Sequence, residues 1–214
     1  MPTAESEAQS MTSLRSFLKR STEEAHNSVH EIPLFKRFAN AELSRTEYQQ
    51  MMERYFQYFQ GLDPAIVTAA QAYIPNHIDY VYTPRADLMR ADLSELGLSD
   101  CAVAALSPCQ QQPDIGDIAS LVGVVYVIEG SVIGGRQLSH AAEKILAAGA
   151  GDAYWRWCRH SGLSCWKKAL EVIDLADDGE ACRNSAVKAA RETFYSFASW
   201  FSHEERQLPK LVNA

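Results

Sequence analysis

Residues 117–148 read DIASLVGVVYVIEGSVIGGRQLSHAAEKILAA, and everything else about the chain is organised around them. The apolar run from Ile118 to Ile128 and the periodic Leu138, Ala141 and Ile145 predict one long helix from Asp117 to about Ala148. That helix contains Gly123, Gly130, Gly134 and Gly135, each costing roughly 0.8–1 kcal/mol relative to alanine in a helix interior. Such costs call for compensation. One form is close helix–helix packing, since Gly130 and Gly134 one turn apart admit another backbone. Another is a flat, bulky ligand lying on the helix, with the backbone kinked to meet it. A phosphate loop is a poor third choice, because no strand precedes, no GxGxxG is present and no Walker lysine follows.

Working outward, the remaining segments also read as helices. Leu14, Leu18, Ala25 and Val29 predict an amphipathic helix over residues 12–29. Pro33 interrupts it, and Leu34, Phe35 and Phe38 predict a short second helix. Ser44-Arg45-Thr46-Glu47 is a capping box that opens a helix near residue 45, carrying an aromatic stripe of Tyr48, Tyr55, Phe56 and Phe59. Asp63-Pro64 is expected to bend or restart it. Residues 74–83 read as a loop, Thr83-Pro84 as the start of a helix ending near Gly97, and residues 98–115 as a connector. Two further helices are expected over 163–176 and 181–207. No segment alternates as a strand would, so the fold class is all-α, a multi-helix bundle.

The 214 residues suit one domain, taken as 13–210 after a polar, flexible stretch over residues 1–12. Five cysteines, an odd number with no CxxC pair, fit reduced thiols, and with no basic-then-apolar opening segment they predict a cytoplasmic protein outside the membrane. The net charge of −7 disfavours nucleic acid as a partner.

A ligand lying against a helical wall needs a second anchor. Of the six histidines, His77 and His160 fall in loop-like contexts and His140 and His203 on polar helix faces, whereas His26 borders the apolar stripe of the first helix. By itself His26 reads more readily as a packed or surface residue than as a ligand. Glu23-x-x-His26 is half of a carboxylate di-iron pair whose second copy is absent. His26-xxx-His30 places two imidazoles on one helical face, as zinc would require, with no third ligand fixed by spacing.

Taken together, three segments resemble the heme oxygenase family: LRSFLKRSTEEAHNSVHEIPLFKRFANAELSRTEYQQMMERYFQYF over 14–59, with Thr22-xxx-His26 as its signature; YVIEGSVIGGRQL over 126–138; and AARETFYSFASWF over 189–201. The pattern EGSVIGG is similar to the bacterial branch whose members supply biliverdin to phytochromes. The resemblance implies a heme oxygenase-type bundle with heme b held between the first helix and a kinked distal helix. It implies that His26 is the proximal iron ligand and that Gly130 and Gly134 let the distal helix close over the opposite heme face. Lys19 resembles the propionate-pairing lysine; seven residues before His26, it would stand about 10 Å away along a continuous helix. Tyr126 is a rim or propionate candidate, and Phe194, Phe197 and Phe201 are candidate walls that core packing explains equally well.

The implied reaction is the opening of heme, at once substrate and cofactor, by O₂ and electrons to biliverdin, ferrous iron and CO. The electrons would come from an external donor such as a ferredoxin or an NAD(P)H-dependent reductase, and a bacteriophytochrome is an expected recipient of the biliverdin. Basic residues at Arg15, Lys19, Arg20, Lys36 and Arg37 are a possible docking face for an acidic donor, or simply a solvated charged face. Ser131 stands where the mammalian-type members carry an aspartate that organises water in the distal pocket, and His30 where many members carry a glutamate. A non-catalytic heme carrier or sensor, and a thiaminase-like bundle that binds no heme, are the alternatives.

Overall fold

A computed structural model describes residues 13–147, 150–177 and 179–203. The expectation of a flexible stretch over 1–12 lies outside these residues, as does the last helix beyond 203. Every regular element among the described residues is helical: α1 (Leu14–Ser21), α2 (Glu23–His30), α3 (Pro33–Ala39), α4 (Arg45–Tyr73), α5 (Arg85–Glu95), α6 (Asp100–Ala104), α7 (Ile118–Leu146), α8 (Ala153–Trp157), a π-helical turn (Cys158–Gly162), α9 (Leu163–Asp174) and α10 (Gly179–His203).

The first expected helix is two helices. At Thr22 the backbone leaves helical geometry (φ −111°, ψ 5°), and the buried Thr22 hydroxyl donates to the Leu18 carbonyl at 2.8 Å. A side chain bonding back to the preceding turn competes with helix continuation, so α1 and α2 are separately oriented pieces. The Ser44–Glu47 capping box forms as expected, with the Ser44 amide donating to the Glu47 carboxylate at 2.8 Å. Pro64 does not end α4, which runs unbroken to Tyr73. Instead the neighbouring Asp63 is buried and ties α4 to α5, accepting from the Tyr82 hydroxyl at 2.6 Å and the Ala86 amide at 2.8 Å.

Two helices lie where none was expected. Within the connector, Ser99 caps α6 through the Ala102 amide. Upstream of α9, α8 and the π-helical turn extend helical structure back to Ala153. The cap of α8 comes from a distant element: Asp92 on α5 accepts from the Ala153 amide at 2.5 Å and the Tyr154 amide at 3.0 Å.

Helix α7 is the spine of the bundle. Capped by Asp117 through the Ser120 amide at 2.7 Å, it continues as one helix to Leu146 rather than breaking at its glycines. Length and composition alone would let it cross a membrane, because Gly and Ser add no charge and the apolar stretch extends well past Ile128; its most apolar window, however, is 61% buried inside the fold. Helix α10 packs along it, with α4, α9 and the π-helical turn around the remaining sides.

Candidate functional site

The four glycines of α7 divide into two pairs. A β-carbon at Gly123 would lie 2.2 Å from the Ala186 carbonyl oxygen of α10, and one at Gly135 would lie 2.8 Å from Cys158 Sγ in the π-helical turn. Gly123 thus admits the backbone of α10, and Gly135 the side chain of Cys158. Gly134 is different: nothing lies within 4 Å of the position its side chain would take. Gly130 meets only the edge of the Trp166 ring, at 3.6 Å. Packing therefore explains Gly123 and Gly135 and leaves Gly130 and Gly134 unexplained.

Tyr126, Gly130 and Gly134 follow one another at four-residue intervals, forming a single stripe on α7. Thr22, His26 and His30 form the matching stripe around α2. The stripes meet at one end, where the Thr22 hydroxyl lies within hydrogen-bonding reach of Tyr126. Beyond α2, the Phe38 ring of α3 packs at a tilt against Trp155, with centroids 5.1 Å apart, and Trp155 is also the ring beside Gly135 further along α7. Helix α10 spans both, since Ala186 touches Gly123, Arg191 Nε donates to the Ser21 carbonyl at 2.8 Å, and Phe194 packs edge-to-face on His26 at 5.6 Å. Helix α10 thus contacts both α7, at Gly123, and the imidazole of His26 on α2.

His26 is exposed on one side, and its Nε2 stands 3.3 Å from Nε2 of His30. Partial burial lowers its pKa, the neighbouring His30 lowers it further, and a hydrogen bond with Asn27 opposes both. The result is an imidazole biased toward its neutral form, with its Nε2 beside that of His30. That is the donor chemistry a heme iron takes. Together with Gly134, which faces open space, and Gly130, which meets only the edge of Trp166, the residues present have the chemistry to fit a flat iron-bearing macrocycle.

The other expected site residues are placed less uniformly. Lys19 is exposed on α1, but the break at Thr22 separates it from His26, so the spacing along a continuous helix does not hold. Tyr126 is half-buried, with its ring 6.1 Å from Trp166. Ser131 is exposed and its hydroxyl donates to the Ile128 carbonyl at 2.7 Å. Phe197 packs against the core aromatics, stacking on Phe35 at 5.6 Å. Phe201 is fully buried among Phe35, Tyr55 and Phe197, a core position away from His26. Arg156 and Arg159 are engaged by Asp152 and Glu143.

Sequence reasoning missed Trp166 and the role of Arg15. Arg15 lies 5.6 Å over the Trp166 ring, and the same ring covers Gly130 and faces Tyr126. No local signal marks this group, because its members come from α1, α7 and α9. A separate cavity of about 420 Å³, lined by Tyr80, Thr83, His160, Ser164 and Lys168 among others, includes neither His26 nor the glycine strip.

Comparison with known proteins follows the same lines. A family model described as heme oxygenase matches residues 12–203. No curated protein sequence matches the chain. Among solved structures, the heme oxygenase of Leptospira interrogans superposes with a TM-score of 0.73 at 16% identity, covering 89% of this chain and 99% of that one. Heme oxygenase-1 of the cyanobacterium Synechocystis, in complex with heme, superposes with a TM-score of 0.71 at 15% identity, covering 91% and 93% respectively.

Proposed function

Because the chain belongs to the heme oxygenase family, we propose that it binds heme b through His26 and opens it with O₂ and external electrons to biliverdin, ferrous iron and CO. The observation that carries this reading is the occurrence together of an exposed His26 whose imidazole is biased toward its neutral form and a stretch of α7 where Gly134 meets open space and Gly130 only the edge of Trp166. Heme, when bound, supplies both the iron that takes up O₂ and the ring carbon that is oxidised.

The protein's part is to bind, orient and exclude. His26 holds the macrocycle from the α2 side, with Phe194 fixing the imidazole plane by its edge-to-face contact. Gly130 and Gly134, which add no side chain to α7, would let that helix lie close to the bound heme and limit the room left for other molecules beside it. The Ser131 hydroxyl, whose proton is committed to the Ile128 carbonyl, keeps its lone pairs for a pocket water. Lys19 and Tyr126 are proposed propionate or rim contacts, and no nucleophile or carboxylate dyad is needed. The EGSVIGG pattern supports a biliverdin-supplying role towards a phytochrome, with a ferredoxin or an NAD(P)H-dependent reductase as electron donor.

The test is a heme titration followed by turnover with a reductant in air. A Soret band that forms and then gives way to a biliverdin spectrum supports the proposal. A stable oxygenated complex would point to a carrier or sensor, and no Soret change at all would remove heme from the account.

A further inference from the structure

The contact between His26 and His30 has a geometry that heme binding does not use. The two rings sit four residues apart at the end of α2, both exposed, with centroids 4.6 Å apart and planes inclined by 69°. Their Nε2 atoms are 3.3 Å apart, one ring donating and the other accepting, so both nitrogens converge on the same small volume. A divalent transition metal is held by imidazole nitrogen at about 2.0–2.1 Å. An ion at that distance from both nitrogens would see them at an angle of about 107°, close to two corners of a tetrahedron.

From this juxtaposition we propose that the heme-free protein binds one divalent transition-metal ion, of the zinc or copper class, between His26 and His30. The proton shared by the two rings moves to Nδ1 of the donor ring, leaving both imidazoles neutral and both Nε2 lone pairs on the metal. Among the described residues no third His, Cys, Asp or Glu completes the set, so water fills the remaining positions and the ion exchanges readily. The axial ligands of a heme iron lie on opposite faces of the macrocycle, so two nitrogens at this angle cannot both serve one heme. The bound ion occupies the nitrogen that His26 would offer to heme. Metal and heme therefore exclude each other, a consequence that rests on the proposed function, whereas the metal site itself does not.

The experiment is calorimetric titration of the heme-free full chain with ZnCl₂ at pH 7.5, comparing wild type with His30→Gln and, as a control for stray histidines, His140→Gln. His30 is exposed, so its replacement leaves the packing of α2 in place. Wild type and His140→Gln are expected to bind one Zn²⁺ per chain, and His30→Gln to bind it roughly tenfold more weakly or worse for want of one of two ligands. Equal affinity in wild type and His30→Gln, or no binding by wild type, overturns the site. A second arm adds heme to zinc-loaded protein: zinc should raise the heme concentration needed for half-saturation in wild type and not in His30→Gln. If heme fails to bind even without zinc, the heme reading falls while the first arm still decides the metal site.

Discussion

Arg85 of α5 donates to Glu129 of α7 across 2.6 Å, with each side chain only 1% exposed, and Glu129 is the residue immediately before Gly130. The pair is fully coordinated: Tyr80 also donates to Glu129 at 2.9 Å, and the Arg85 guanidinium donates to the Thr83 carbonyl and lies 4.1 Å over the Trp157 ring. It fixes the inner face of α7 at the level where its outer face is bare.

Glu129→Leu should consequently destabilise the fold by about 3–5 kcal/mol, because it leaves a buried guanidinium without its carboxylate. The double replacement Arg85→Met with Glu129→Leu should recover a large part of that loss. Urea unfolding of the three proteins checks this, and a single variant as stable as wild type would show that the pair contributes nothing.

The glycines of α7 should respond in opposite directions. Gly134→Ala meets open space and should stabilise the heme-free protein by up to about 1 kcal/mol through helix propensity. Gly123→Ala would place a methyl 2.2 Å from the Ala186 carbonyl and should cost about 1–3 kcal/mol as overpacking. Gly134→Leu should keep the helical content of the heme-free protein and lose heme oxidation, since the new side chain fills the space above the iron. Thermal unfolding beside single-turnover heme oxidation measures both effects; a Gly134→Leu protein with normal biliverdin formation would remove Gly134 from the heme site.

Replacement of His26 by alanine should leave far-ultraviolet circular dichroism unchanged, since the side chain is exposed, while weakening heme binding and nearly abolishing biliverdin formation. The ferric heme spectrum distinguishes the outcomes: a spectrum and turnover identical to wild type would exclude His26 as the iron ligand. Lys19→Ala should act more mildly, changing heme affinity or the ratio of biliverdin isomers, and no change in either would mark Lys19 as solvated surface.

Burial pushes the Asp63 carboxyl up to about 6 from an ordinary value of 3.8, in spite of the hydrogen bonds it accepts from Tyr82 and the Ala86 amide. Between those two values the folded chain holds a proton that the unfolded chain has released, so stability from this group is present at low pH and declines as pH rises through about 6. The stability difference between wild type and Asp63→Asn should therefore shift against wild type from pH 4 to pH 6 and level off above. Urea titrations across that range check the sign, and a difference independent of pH would show that Asp63 titrates normally.

Much of the secondary structure was legible because its causes are local. The Ser44–Glu47 and Asp117–Ser120 caps close within three residues, and the stripes of α1, α4 and α7 repeat within two turns. The two helices that were missed depend on weaker or more distant signals: α6 is a single capped turn, and α8 is capped by Asp92 from about sixty positions upstream in the sequence. The division of α1 from α2 was hidden because a threonine at position 22 fits a helix face as well as a break.

By itself the sequence determined that the described chain is helical, that α7 carries more glycine than helix propensity tolerates, and that His26 and EGSVIGG occur in a family-like order. Each of these is a property of neighbouring residues or of composition. Only the tertiary structure decided which glycines are packed and which are not, that Phe201 belongs to the core, and that Glu129 is neutralised by Arg85. Those facts follow from which distant helices the fold sets against one another: α10 and the π-helical turn against α7, α5 against α7, and α10 against α3 and α4. A backbone hydrogen bond in a helix reaches four residues, whereas the burial of a glycine or a carboxylate is set by a neighbour whose distance along the chain leaves no local trace.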